Sequence, residues 1–370
     1  MAGSSDKLSW VRAVRRGVAC LDRAQQEGHW RGFPTLAGIS NVWVTAFVVA
    51  HLRQLALRIS RLAQARAYLA AARWPGSGWS YGGDVPPDAD STAWCLMALR
   101  GSRQLPPSKS REARDFLASH QSEHGTATYT EDSGIRRYIA ASPSVSLAGW
   151  TTHHPDVTAA ALLAGVPSLR SRQGLMALSR LIAQQTGAGF WDAYWWRGPL
   201  YTTTLVLRAV GSAGYRLPRQ QAAGLLAALE REQLADGGFG LGASLESDPF
   251  TTALALECYS HLAYLGGKER RRAALQALLA HQREDGGWNG DYVMRIPAPD
   301  IVDPRHVSGW SRGTDGGNSY VLDTGGVFAT TLACHAVTVY QGTAVALEDK
   351  PELEGFHEPI ANEALVTLNY

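Results

Sequence analysis

The sequence is poor in cysteine and in net charge, and it has no long apolar run. Its four cysteines, Cys20, Cys95, Cys258 and Cys334, stand far apart in 370 residues and form no CxxC or other metal-ligand spacing. That argues against a disulfide scaffold, and the four read as reduced, mostly buried thiols of a cytoplasmic protein. A formal net charge of +2 gives no electrostatic case for nucleic acid. No stretch approaches ~18 uninterrupted apolar residues, so no transmembrane helix is expected. The polar segment Met1–Trp10 lacks the basic and apolar regions of a signal peptide. A peripheral membrane contact stays open.

What the chain does have is tryptophan, 12 in all, many beside glycine. They mark a repeated device: Gln, a short polar spacer, Gly, then an aromatic. It reads Gln25-Gln26-Glu27-Gly28-His29-Trp30, then a degenerate Pro75-Gly76-Ser77-Gly78-Trp79, and later Gln121-Ser122-Glu123-His124-Gly125. It returns as Gln185 to Trp191, Gln233 to Phe239 and, most cleanly, Gln282-Arg283-Glu284-Asp285-Gly286-Gly287-Trp288. Repeats of this length signal stacked supersecondary units.

An amphipathic helical stretch precedes each copy, near residues 8–26, 60–73, 109–121, 170–185, 219–233 and 268–282. A more uniformly apolar helix follows each, starting near Asn41, Ala89, Pro155, Leu200, Phe250 and Val327. The polar-faced helix belongs outside and the apolar one inside. Six outer-inner pairs predict an all-α fold, an (α/α)6 toroid; an open solenoid is the alternative.

The inner helices share a threonine, and its spacing locates the irregular parts. Thr45 and Thr92 are 47 residues apart, and Thr158 and Thr203 are 45 apart. Thr92 and Thr158 are 66 apart, and Thr252 and Thr330 are 78 apart. Two insertions result, residues 124–154 and 289–324, both between an outer helix and the next inner one. They are read as loops, without helix, that wall or cover the mouth of a chamber. The barrel is placed at residues 1–341 and an acidic tail at 342–370.

At the start of the second inner helix stands Asp88-Ala89-Asp90-Ser91-Thr92-Ala93, after Gly78-Trp79-Ser80-Tyr81 and Pro86-Pro87. Acids in a first turn commonly just cap the helix. Here a second reading competes. Burial disfavours the anion and keeps a carboxyl protonated, while the positive helix end stabilises the anion left after proton transfer. Asp90 under both influences is a candidate general acid. Aromatic faces stabilise cations without reacting. Candidates for such a wall are Trp43, Trp94, Trp150, Trp195, Trp196, Tyr201, Phe250, Trp310 and Phe328, each of which could equally be core packing.

The run Gly78–Leu99 resembles the class II terpene cyclases, the squalene-hopene cyclase group in particular, whose signature is Asp-x-Asp-Asp-Thr-Ala. Asp156-Val157-Thr158-Ala159-Ala160 is similar to that group's Asp-Val-Thr-Ala-His, and the glycine-aromatic loops look like its QW motifs. The resemblance implies proton-initiated, metal-independent cyclisation of a polyene, terpenoid or prenylated small molecule, without a cofactor. It implies Asp90 as proton donor, Asp88 orienting it and Asp156 supporting it. Three departures stand out: Ser91 replaces an aspartate, Ala160 replaces the histidine, and the second barrel domain of those enzymes has no counterpart in this length. His153 or His154 could supply the missing histidine, and a second subunit or homodimer could cover the chamber.

Two other readings remain. One is a prenyltransferase-like toroid. Asp248 begins the comparable helix there, but position 250 is Phe and Cys334-His335 point about 100° apart, a poor chelate. The other is a non-catalytic carrier of an apolar ligand. Arg136, Arg137, Arg197, Arg295 and Arg312 could bind a diphosphate at the mouth or pair with local acids.

Overall fold

The computed structural model describes residues 4–35, 38–55, 61–242, 244–313, 317–342 and 350–353. The outer helices are α1 (Ser4–Ala24), α3 (Leu62–Ala71), α5 (Pro107–Ala118), α9 (Arg172–Ala183), α11 (Arg219–Glu232) and α13 (Lys268–Ala280). The inner helices are α2 (Val42–Leu52), α4 (Ala89–Leu99), α8 (Pro155–Ala164), α10 (Leu200–Ser212), α12 (Pro249–His261) and α14 (Val327–Gly342). Two one-turn helices, α6 (Ile135–Tyr138) and α7 (Ala148–Thr151), lie in the first insertion.

The inner helices pack in the cycle α2, α4, α8, α10, α12, α14 and back to α2, and α1 packs on α14, so the ring is closed. The two layers differ as their sequences demand. Every residue of α2 is buried, whereas α3 buries only Ala65 and Leu69.

The repeated loops are staples. The indole N–H groups of Trp30, Trp79, Trp191 and Trp288 donate to the carbonyls of Leu21, Leu69, Leu181 and Leu278, each at 2.7 Å. A buried indole needs such a partner. The loop glutamines reach from one outer helix to the next. Gln185 and Gln233 donate to Gln221 O and Arg270 O, and Gln282 donates to Ala13 O at 2.9 Å, which closes the outer ring. Glycine is required at Gly286: φ is +90°, and a Cβ would lie 2.5 Å from Arg16 O.

The shared threonines complete each staple. Thr45, Thr92, Thr158, Thr203, Thr252 and Thr330 accept, through Oγ1, the backbone N–H of Trp30, Trp79, Thr126, Trp191, Phe239 and Trp288 at 2.9–3.1 Å. Each inner helix is thereby fixed in rotation against its loop.

The insertions differ from the helix-free loops read from sequence. The first contains α6 and α7, and the second a small sheet of Met294–Ile296, Ser319–Val321 and Ser311–Arg312. Segments this short carry no periodicity to read. The two insertions pack on each other: Gly149 N–H donates to Pro299 O at 2.8 Å, and Trp150 Nε1 to Pro297 O at 3.0 Å. Val85, Tyr129, Ile135, Leu147, Trp150 and Tyr194 form a second apolar cluster beneath them. Of the tail, residues 350–353 follow the α10–α11 turn, where Leu353 is buried and its N–H donates to Arg216 O at 3.0 Å; the rest lies outside the described residues.

Thr330→Val strands the buried Trp288 N–H without an acceptor, which costs about 1–3 kcal/mol. Urea unfolding is expected to show a lower midpoint at unchanged slope; an unchanged midpoint would show that the staple contributes nothing.

Candidate active site

The threonine staples determine what faces the ring axis. Side chains advance about 100° per residue along a helix, so the residue two positions before each threonine points roughly opposite to it. The threonine faces the outer loop, and its partner faces inward. Those six positions are Trp43, Asp90, Asp156, Tyr201, Phe250 and Phe328. Two carboxylates on the neighbouring helices α4 and α8 thus share one layer with four aromatics. The sequence reading named all six residues but not the rule that unites them.

Among the described residues the Asp90 carboxyl is held by one hydrogen bond, from Trp43 Nε1 to Oδ2 at 2.7 Å. Asp90 is half-buried. Burial pushes its pKa well above the carboxylate range, and the nearby Asp88 and Asp156 push it further. Asp88 does not touch the Asp90 carboxyl. It caps α4, accepting Ser91 N–H at 2.7 Å and Ser91 Oγ–H at 2.6 Å, and burial raises it to about 7 against those bonds. The side chain that hydrogen-bonds the Asp90 carboxyl is the Trp43 indole, while Asp88 engages the backbone at the start of α4. Asp156 is raised by burial but accepts three backbone N–H groups, from Tyr194 at 3.2 Å, Trp195 at 3.1 Å and Val157 at 3.2 Å.

Three such carboxyls cannot all be ionised. The hydrogen bonds at Asp88 and Asp156 oppose the rise that burial causes at each. Among the described residues Asp90 has only the indole to oppose it, and its pKa is pushed well above the usual value.

Neither histidine supplies the missing partner, which corrects the expectation that one would. His153 is exposed near His124. His154 is buried and stacks on Tyr194 at 3.7 Å, and burial holds it neutral at about 3. Both precede α8 and face the inserted segments: Ala127 bridges to His153, and His154 N–H donates to Thr126 O.

The aromatics form one connected wall. Trp43 lies 5.8 Å from Trp94, 5.6 Å from Phe328 and 5.7 Å from Trp196. Trp196 stacks on Tyr201 at 3.8 Å and on Phe250 at 5.4 Å. Trp150 lies instead in the second apolar cluster, with Trp195 packed 5.9 Å from it. Trp310 does not belong to the wall. It stacks on Tyr320, on the face opposite the buried Met294 and Val321 of the small sheet. A separate cavity of about 770 Å³ opens on the outer surface between α5 and α9, and none of the three carboxyls lines it.

A buried polar cluster crosses the far end of the ring, and the sequence reading missed it. Arg208 pairs bidentately with Glu257, with Nη2 to Oε2 at 2.7 Å, and donates through Nη1 to His51 Nε2 at 2.7 Å. Burial drives the pKa of both His51 and His335 down; His335 contacts Glu257 and Gln54. Arg208, Glu257 and His335 each stand five residues after a repeat threonine, the signal that could have found them. At the prenyltransferase-like positions, Asp248 caps α12 through Thr251 N–H at 2.8 Å, and Phe250 lies in the aromatic stack.

A carboxylic acid kept protonated at the head of an aromatic-lined ring of inner helices is the equipment of an enzyme that begins cyclisation by protonation. Comparison with known proteins agrees. No protein-family model matches the chain, and no curated protein sequence is significantly similar. Solved structures are. A variant of the type II terpene cyclase MstE from Scytonema, in complex with geranylgeranyl dihydroxybenzoate as substrate, is 28% identical, with a TM-score of 0.78 over 90% of this chain and 97% of that one. A protein from Actinoplanes is 30% identical, with a TM-score of 0.79 over 90% and 99%. The ent-copalyl diphosphate synthase from Streptomyces platensis, 17% identical at a TM-score of 0.56 over 81% of this chain and 50% of that one, shares the fold. The chain belongs to the class II terpene cyclase-like family, enzymes of protonation-initiated polyene cyclisation.

Two outcomes follow. Trp43→Phe removes the indole N–H that hydrogen-bonds the Asp90 carboxyl, which raises the Asp90 pKa further. With Asp90 as proton donor the rate would hold while it is protonated and fall as pH rises through its pKa, so the alkaline limb is expected to move to higher pH and kcat to drop about tenfold. An unmoved pH–rate profile would contradict the assigned hydrogen bond. Glu257→Gln leaves the Arg208 charge buried without its counter-ion, and calorimetry is expected to register a loss of about 3–5 kcal/mol.

Proposed function

We propose that Asp90 is the general acid and that the substrate is a polyene carried on a prenylated small molecule. Oδ1, the oxygen not engaged by Trp43, carries the proton. Its O–H bond breaks as a C–H bond forms at the terminal alkene, and the π pair of the next alkene closes a C–C bond onto the resulting cation. Each ring closure moves the charge along the chain until a C–H proton is lost to a base. One proton enters and one leaves, so substrate and product are isomers.

The observation that carries this reading is the shared layer of Asp90 with Trp43, Tyr201, Phe250 and Phe328. The acid and the faces that stabilise its cation stand at equivalent positions of consecutive repeats. After transfer, the Asp90 anion is stabilised by the Trp43 indole and by the N-terminus of α4. Asp88 and Asp156 act through charge: negative charge on either disfavours ionisation of Asp90 and helps keep it loaded. The MstE complex with geranylgeranyl dihydroxybenzoate supports a prenylated arene as the substrate class. The two packed insertions would exclude water from the cation.

Asp90→Asn is expected to fold and to lose activity on geranylgeranyl dihydroxybenzoate by about 10²–10⁴-fold, while EDTA leaves the wild type unaffected. Full activity in Asp90→Asn would sink the assignment. Binding of this compound without turnover by the wild type would point to a carrier instead.

A further inference from the structure

One member of the aromatic layer is not supplied by an inner helix. Trp196 lies in the connection before α10, on a strap formed by residues 193–197, and touches four of the six layer positions. It stacks on Tyr201 at 3.8 Å and Phe250 at 5.4 Å, and meets Trp43 at 5.7 Å and Phe328 at 5.9 Å. Trp43 belongs to α2 and Tyr201 to α10, on opposite sides of the ring. Trp196 therefore stands on the ring axis, against the residue that holds the acid.

The strap is gripped by opposite charges. Asp156 Oδ2 accepts the N–H groups of Tyr194 and Trp195. The Arg295 guanidinium donates to the carbonyls instead, Nε to Tyr194 O at 2.9 Å and Nη2 to Ala193 O. The backbone completes the grip: Arg295 N–H donates to Trp195 O at 2.9 Å and Arg197 N–H to Val293 O at 2.8 Å. Arg295 also lies over the Trp310 ring at 5.6 Å. With Nε and Nη2 committed to carbonyls, it does not serve as the anion-binding arginine that its sequence position suggested. One end of the clamp comes from the layer of the acid and the other from the second insertion.

We infer that Trp196 is a specificity-determining wall of the chamber, and that Arg295 is the positioning residue that holds it there by clamping residues 193–194 against Asp156. The inference rests on the cyclase reading. A polyene must fold in the space that Trp196 leaves beside Asp90, and a cation whose next alkene is misplaced is quenched early. The predicted consequence is a change in product partitioning, which each active molecule sets for itself whatever fraction of the enzyme is folded.

The test is the ratio of partly to fully cyclised products from geranylgeranyl dihydroxybenzoate. Trp196→Ala is expected to raise that ratio about tenfold or more, since an ångström of misplacement is costly. Arg295→Met, which keeps the aliphatic stem, should change it in the same direction, and Arg295→Lys, which can reach one carbonyl, should fall between Met and wild type. Arg312→Met, on the exposed strand Ser311–Arg312 of the same sheet, should leave it unchanged. An Arg295→Met enzyme that turns over with the wild-type ratio would reduce Arg295 to a structural role. Should that variant fail to fold, the Lys variant decides in the same way. An unchanged ratio in Trp196→Ala would remove Trp196 from the wall. A wild type that forms no cyclised product contradicts the underlying reading, an outcome separate from either of these.

Discussion

The structure depends on one hydrogen bond made six times, from a loop N–H to the threonine Oγ1 of the following inner helix. It ties the Gly-aromatic staple to the ring and sets the rotation of each inner helix. Once that rotation is fixed, the residue two positions earlier has to face the axis. The staple is architectural in itself, but it decides which side chains can be chemical. Four repeats place an aromatic at that position and two adjacent repeats place an aspartate.

The chemistry then turns on unequal solvation of like groups. Asp88, Asp90 and Asp156 are all buried near one another, and each would keep its proton if isolated in that environment. Backbone donors break the tie. Asp156 receives three N–H groups, and Asp88 an N–H and the hydroxyl of Ser91, whereas Asp90 receives a single indole N–H. Among the described residues the carboxyl with fewest donors is Asp90, which is the one proposed as the acid. Ser91, a departure from the Asp-x-Asp-Asp pattern, hydrogen-bonds Asp88 through its N–H and hydroxyl and so opposes the rise that burial causes there. The histidine absent at Ala160 is not replaced by another histidine; the indole of Trp43 is the acid's direct partner.

The repeats made most of the ring legible. Gln-Gly-aromatic loops and regularly spaced threonines carry strong periodic signals, and the inner helices begin within a residue or so of the expected starts. The apolar inner helices also located Asp90, Trp43, Tyr201, Phe250 and Phe328. The rest was hidden for physical reasons. Helices of four residues and strands of two or three leave no period, so the insertions read as plain loops. Trp310 and Trp196 are equally aromatic in sequence, yet strand alternation and a stack on Tyr320 put one outside while a clamped strap puts the other on the axis. His153 and His154 looked close to the acid along the chain, but they precede α8 and face the insertions. The Arg208–Glu257 cluster joins residues 49 apart in sequence and could be found only by counting from the threonines.

The central claim is that a solvent-exchangeable proton on Asp90 becomes a carbon-bound hydrogen of the product. Cyclisation in D2O tests it directly. The account predicts one deuterium, fixed at the carbon of the terminal alkene that is protonated first, in every cyclised molecule. A cyclised product without deuterium at that carbon would show that the reaction begins some other way.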